Sequence, residues 1–125
     1  MRRIVLSGEP FEDVYGYCRA VRVDHQVHVS GTTARPPDLA GTDAYQQAKA
    51  ALRSIDDALR QVGSSTAAVV RTVTYVTDMG DADLVARAHR ETFAHVRPAA
   101  TLVEVSRLTD PREKVEIEAY AVELG

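Results

Sequence analysis

From Asp43 to Val62 the apolar residues Ala44, Ala48, Ala51, Leu52, Ile55, Leu59 and Val62 recur every three or four positions, while Lys49, Arg53, Asp56 and Arg60 fall opposite them. That spacing predicts an amphipathic helix. Thr42 or Asp43 can cap its start, and Gly63 can end it in the left-handed conformation. A second helix is expected over Asp83 to His95, with Val85, Ala88, Thr92, Phe93 and Val96 on one side and Arg97-Pro98 as its stop.

Elsewhere the period is two. Arg3 to Ser7 and Tyr17 to Ser30 read as strands, the longer one folded into a hairpin at Asp24-His25 and broken by Gly31. Thr32 to Leu39, with Pro36-Pro37, reads as a loop. Val69 to Thr77 is β-rich and precedes a turn at Asp78-Met-Gly-Asp. Thr101 to Ser106 alternates, with Thr101, Val103 and Val105 on one face and Leu102 and Glu104 on the other. In Val115 to Val122 the residues Val115, Ile117, Ala119 and Ala121 form an apolar face, so Glu116, Glu118 and Tyr120 point the opposite way.

The order is thus three strands, a helix, a strand, a helix and two strands. Helices between strands require a partly parallel sheet, whereas the first hairpin and the final strand pair are expected to be antiparallel. The expected fold class is α+β, one domain over residues 1–125. Two helices cover only one face of a sheet of about six strands, so the other face, mixing Val, Leu, Tyr and Glu, must be solvated or buried against another copy. We expect a homo-oligomer with polar clefts between subunits.

Composition narrows the function classes. Hydrophobic residues make up 45% and charged residues 26% of the chain, as in ordinary globular proteins. A net charge of -3 and the lone Arg2-Arg3 pair give no nucleic-acid surface. No run approaches the roughly 18 apolar residues of a membrane span, and the N-terminus lacks a signal-peptide stretch, so the default location is cytoplasmic. Cys18 stands alone, in keeping with a reducing compartment. His25 with His28, and His89 with His95, match no usual metal spacing, so no metal site is expected. Ser30-Gly31 lacks a nucleophile-elbow context.

Taken together, Gly16-Tyr17, Val29-Ser30-Gly31, the Gln46 to Val62 helix, Arg71-Thr-Val-Thr-Tyr-Val-Thr-Asp78, Pro98-Ala99, Val103-Glu104-Val105 with Leu108, and Val115-Glu-Ile-Glu-Ala resemble the RidA/YjgF family of small trimeric enamine/imine deaminases. Their order and spacing carry the match over nearly the whole chain. The resemblance implies a chorismate-mutase-like fold, with a mixed six-stranded sheet and two helices packed on one face. It implies a homotrimer with three small-molecule pockets between subunits, no cofactor, and hydrolysis of a C=N bond. Carried over by residue, the framing tyrosine falls on Tyr17, the strand-end glycine on Gly31 beside Ser30, and the water-positioning glutamate on Glu118. The carboxylate-binding arginine falls on Ala100, the pocket cysteine of some members on Leu102, and a second-helix asparagine on Ala86.

An alanine cannot replace a guanidinium's paired hydrogen bonds to a carboxylate. Weak or absent turnover of the usual amino-acid-derived imines is therefore expected, with a substrate of another kind. Arg19, on the same face as Tyr17, and Arg97, at a helix end, are the candidates to supply the missing charge; a surface role is the plainer reading of each. Glu118 can act as a general base if desolvated, or form a cross-strand pair with Arg or Lys. The alternative from another class is a non-catalytic trimer that binds a metabolite or a protein partner.

Overall fold

The long helix begins where the pattern places it. In the computed structural model, which describes residues 1–124, it spans Ala44–Gln61 (α2) and starts from a capping box: Asp43 accepts from the Gln46 N–H at 2.8 Å, and Gln46 accepts from the Asp43 N–H at 2.9 Å. Ala48, Ala51, Ile55 and Leu59 are buried on its inner side. Full burial of a side chain such as Ile55 or Leu59 contributes about 1.5–3 kcal/mol each. The other long helix spans Ala82–Phe93 (α3) and buries Val85, Ala88 and Phe93. Its last turn closes on Arg97, whose N–H donates to the Phe93 carbonyl at 2.8 Å and whose φ of 55° redirects the chain.

The strands are β1 (Arg2–Val5), β2 (Ala20–Val23), β3 (Gln26–Thr32), β4 (Val69–Val76), β5 (Ala99–Glu104) and β6 (Val115–Val122). They form one six-stranded mixed sheet in the order β1-β2-β3-β6-β4-β5. The β2–β3 hairpin turns at Asp24, whose φ is 53°. Both long helices lie on one face of the sheet. Among the described residues no helix is long and apolar enough to cross a membrane.

Four expectations are corrected. The last two strands do not pair: β4 lies between them, parallel to β5 across the α3 crossover and antiparallel to β6. Gly31 does not end its strand; β3 runs through it to Thr32, with a register shift between Val29 and Thr32 that marks a bulge. Tyr17 is not in a strand, because a short helix, Pro10–Tyr15 (α1), precedes it and β2 starts only at Ala20. Pro10 at the first turn is a helix-start signal. Finally, the register pairs both Leu102 and Ile117 with Thr74, so Leu102 and Glu104 face the helices, opposite Glu116 and Glu118.

One polar side chain in the core fixes two loops. Gln47, on the inner side of α2, is fully buried, donates to the carbonyls of Leu39 at 3.3 Å and Arg112 at 3.0 Å, and accepts from the Lys114 N–H at 2.8 Å. It thereby joins the 33–41 loop to the 109–114 loop beside β6.

Candidate functional site

On the face away from α2 and α3, the bulge of β3 meets the start of β6. Gly31 lies under Glu116 so closely that a Cβ at position 31 would stand 2.8 Å from both Cδ and Oε2 of that carboxyl. A side chain at position 31 would push that carboxyl aside. Glu116 is half-buried, and its carboxyl has no hydrogen-bond partner among the described residues. Burial pushes its pKa up, the nearby Glu113 and Glu118 charges add to that, and Arg19 opposes it.

Glu118 is in a different situation. Its Oε1 accepts from the Tyr75 hydroxyl at 2.6 Å, and its Oε2 accepts a very short bond from the Tyr120 hydroxyl. These bonds push the Tyr75 hydroxyl up to about 12 and Tyr120 up as well, so both phenols stay protonated and bound to the carboxylate. The residue expected to position water is thus occupied by two tyrosines, and its neighbour two positions earlier is open.

Arg19 is buried at 7% exposure. Its Nη2 donates to the Gly31 carbonyl at 2.5 Å, its guanidinium carbon stands 5.7 Å from the centroid of the Tyr17 ring, and its Nε is buried with no partner. No carboxylate lies within 4.0 Å of it among the described residues; Glu12 and Glu116 act on it only at longer range. It is neither the solvated nor the salt-bridged arginine of the plainer reading. A buried cation with a free donor is costly unless a ligand completes it.

Ser30 secures this arrangement and spends its hydroxyl doing so, donating to the Cys18 carbonyl at 2.7 Å while its N–H donates to the Arg19 carbonyl at 3.0 Å. Behind Tyr17, α1 is anchored by Glu12. Burial would raise that carboxyl, but donation from the Ser7 hydroxyl and N–H, with the charges of Arg19 and Arg35, holds it below its ordinary value. Arg35 pairs with Glu9 and donates to the Ser7 hydroxyl at 2.9 Å, tying the 33–41 loop to the same end. Glu113, buried, accepts from Thr33, Thr109 and the Asp110 N–H at 3.1 Å each, which fixes the opposite rim.

These residues enclose an open cleft of about 1000 Å³. Tyr17, Arg19, Ser30, Gly31 and Glu118 all line it, together with Glu116, Tyr75 and Tyr120. Ala100 and Leu102 do not line the cleft of the same chain; they sit on the edge strand β5 facing the helices, and Leu102 packs against the core. Arg97 is exposed and also lies apart. His28 stands edge-on to Tyr120 at 5.5 Å, whereas His89, on the inner side of α3, is bonded to the Thr72 hydroxyl of β4 at 2.8 Å. Among the described residues no three His, Cys, Asp or Glu side chains converge to hold a metal ion.

Sequence reasoning missed Glu116 as the open carboxylate and missed the tyrosine pair on Glu118. Parity places Glu116, Glu118 and Tyr120 on one face but cannot say which oxygen another strand's hydroxyl will take. The signal that separates the two glutamates is Gly31, which only the β3–β6 register brings under Glu116.

Comparison with known proteins places the chain. Residues 9–123 match the family model described as Endoribonuclease L-PSP. A crystal structure of Rv2704 from Mycobacterium tuberculosis, described as a member of the YjgF/YER057c/UK114 family, is 43% identical with a TM-score of 0.92, covering 98% of this chain and all of that one. The uncharacterized protein SCO2049 of Streptomyces coelicolor is 39% identical over 122 residues, 94% of this chain and 91% of its own. A 2-iminobutanoate/2-iminopropanoate deaminase of Mus musculus is 29% identical over 127 residues, 98% of this chain and 93% of its own. On the match over residues 9–123 and these full-length likenesses, the chain belongs to the RidA/YjgF family.

Proposed function

We propose that this protein is an enamine/imine hydrolase whose working carboxylate is Glu116 and whose anion-binding group is Arg19. The observation that carries the reading is the Glu116 carboxyl: unpartnered, desolvated, laid over Gly31 and facing the cleft beside a buried arginine that lacks a counter-ion. The mouse relative's name supplies the reaction class.

In this reading the carboxylate of a 2-imino acid completes the donors of Arg19, leaving the C=N carbon near Glu116. Glu116 takes a proton from water as the water oxygen attacks the protonated imine carbon, and the C=N π pair moves to nitrogen. The resulting carbinolamine receives that proton on nitrogen, the C–N bond breaks, and ammonia leaves as the hydroxyl releases its proton and becomes the carbonyl. The raised pKa of Glu116 makes it a stronger base for this step. Glu118 is a positioning residue, holding Tyr75 and Tyr120 as the floor of the cleft.

A homotrimer would bring β5 of a neighbouring copy, with Ala100 and Leu102, toward the open side of the cleft. Ala100 adds no charge there, so Arg19 alone anchors the carboxylate and the usual short-chain imines turn over slowly. The cleft carries Glu9, Asp110, Glu113, Glu116 and Glu118 against Arg19, Arg35 and Arg112, with Glu9 and Asp110 paired to Arg35 and Arg112, so it offers no basic stripe of the kind a nucleic-acid backbone needs.

The test is ammonia release from imines generated in place by an amino acid oxidase. Glu116→Gln should lose at least ~100-fold in kcat, the order of a missing general base. Glu118→Gln should retain most of the rate, and Ala100→Arg should raise turnover of the alanine-derived imine. Loss in Glu118→Gln with full activity in Glu116→Gln would reverse the assignment.

A further inference from the structure

Three aromatic rings line the cleft from α1 and the residues after it. Phe11 and Tyr15, one helical turn apart, stack with centroids 5.8 Å apart and planes 3° from parallel. Tyr17 meets both edge-on, at 6.3 Å and 5.9 Å. This cluster is not part of the hydrophobic core: Phe11 is 49% exposed and Tyr15 76% exposed. Nor is it loose, since α1 is anchored through buried Glu12 to Ser7 and through Glu9 to Arg35. Such a rigid, open wall of rings is what a planar apolar group stacks on.

The wall also stands in a defined relation to the anion site. Tyr17, the ring that bridges to Phe11 and Tyr15, is the one beside the Arg19 guanidinium, at 5.7 Å. A carboxylate held at Arg19 therefore lies next to Tyr17, the ring that links it to Phe11 and Tyr15. The cleft, at about 1000 Å³, is far larger than a three- or four-carbon imino acid needs.

We propose that Phe11, Tyr15 and Tyr17 form the side-chain seat of this site, and that its substrate class is 2-imino acids, or their enamine tautomers, bearing an aromatic side chain. The proposal rests on the imine-hydrolase reading for its reaction, but the seat itself is a claim about binding. The chemistry balances as above: one water is consumed, and ammonia and an aromatic 2-oxo acid are released.

The experiment compares wild type, the Phe11→Leu/Tyr15→Leu double variant and a Val14→Ser control on the same helix, outside the cleft. Wild type should show kcat/KM for the phenylalanine-derived imine at least ~10-fold above that for the alanine-derived one, the order expected of two ring contacts. The double variant should bring that ratio below ~3, and Val14→Ser should leave the ratio where it was. In parallel, calorimetry with phenylpyruvate and pyruvate should show the same ~10-fold preference in wild type and its loss in the double variant. Equal kcat/KM values and equal affinities in wild type overturn the seat while leaving the hydrolase reading intact. A wild type that hydrolyses neither imine overturns the hydrolase reading, and the calorimetric preference then decides the seat alone. If the double variant keeps its selectivity but changes its sedimentation coefficient, the rings are a contact between copies and the proposal fails.

Discussion

Gly31 and Glu116 constrain each other, and the constraint is testable in both directions. Gly31→Ala would place a methyl 2.8 Å from the Glu116 carboxyl, so either that side chain or the β3 bulge must shift. Displacing a catalytic group by about 1 Å costs on the order of 100-fold, and steady-state kinetics of this variant should show that loss mainly in kcat. The carboxyl is also held against its own preference. Its folded-state pKa is raised above 4.5, so its stabilising contribution is fully present below that value and is lost as pH rises through the folded one. Glu116→Gln should accordingly raise Tm at pH 7 and leave it unchanged near pH 4, measured by calorimetry at both. A variant that is inactive yet more stable is the signature of a residue kept for chemistry.

Among the elements, α2 carries the placement of the cleft rims through Gln47. Truncation to alanine leaves the Lys114 N–H and the Leu39 and Arg112 carbonyls without their partner, a loss of about 2–4 kcal/mol. Urea denaturation of Gln47→Ala should show it. This helix was legible in the sequence because 18 residues hold five turns of period and a capping box. α1 was not, because six residues contain less than two turns and show no period to read. Parity within β6 was also legible, which is why Glu116, Glu118 and Tyr120 were expected on one face. What parity could not show was the neighbour of each strand: pairing β6 with β3 and β4, rather than with β5, is decided by contacts far apart in sequence. The misplacement of Leu102 and Glu104 follows from that same gap.

For the molecule as a whole, the acid limit of stability is set by groups buried in their unprotonated form. Desolvation holds His89 below its ordinary value of 6.5, and Ser7 and the nearby arginines hold Glu12 below 4.5 against its burial. Both contributions are present above those values and are lost as pH falls through the folded ones. Tm should therefore decline as pH drops below about 6.5, the ordinary histidine value, and His89→Gln should flatten that first part of the decline in a pH series of thermal melts. The sheet adds a hazard of another kind. Its last strand, β5, has a partner on one side only, and from Ala99 to Val103 it carries no charge. A newly made copy thus presents a row of free N–H and C=O groups with nothing to repel another extended chain. Proteins often blunt such an edge with lysine or proline; here only Pro98 at its entrance and Glu104 at its exit do so. If copies of the proposed trimer cover that edge, survival of the nascent chain in a crowded solution depends on how soon after synthesis they meet, a race between assembly and misassociation that the finished fold no longer reveals.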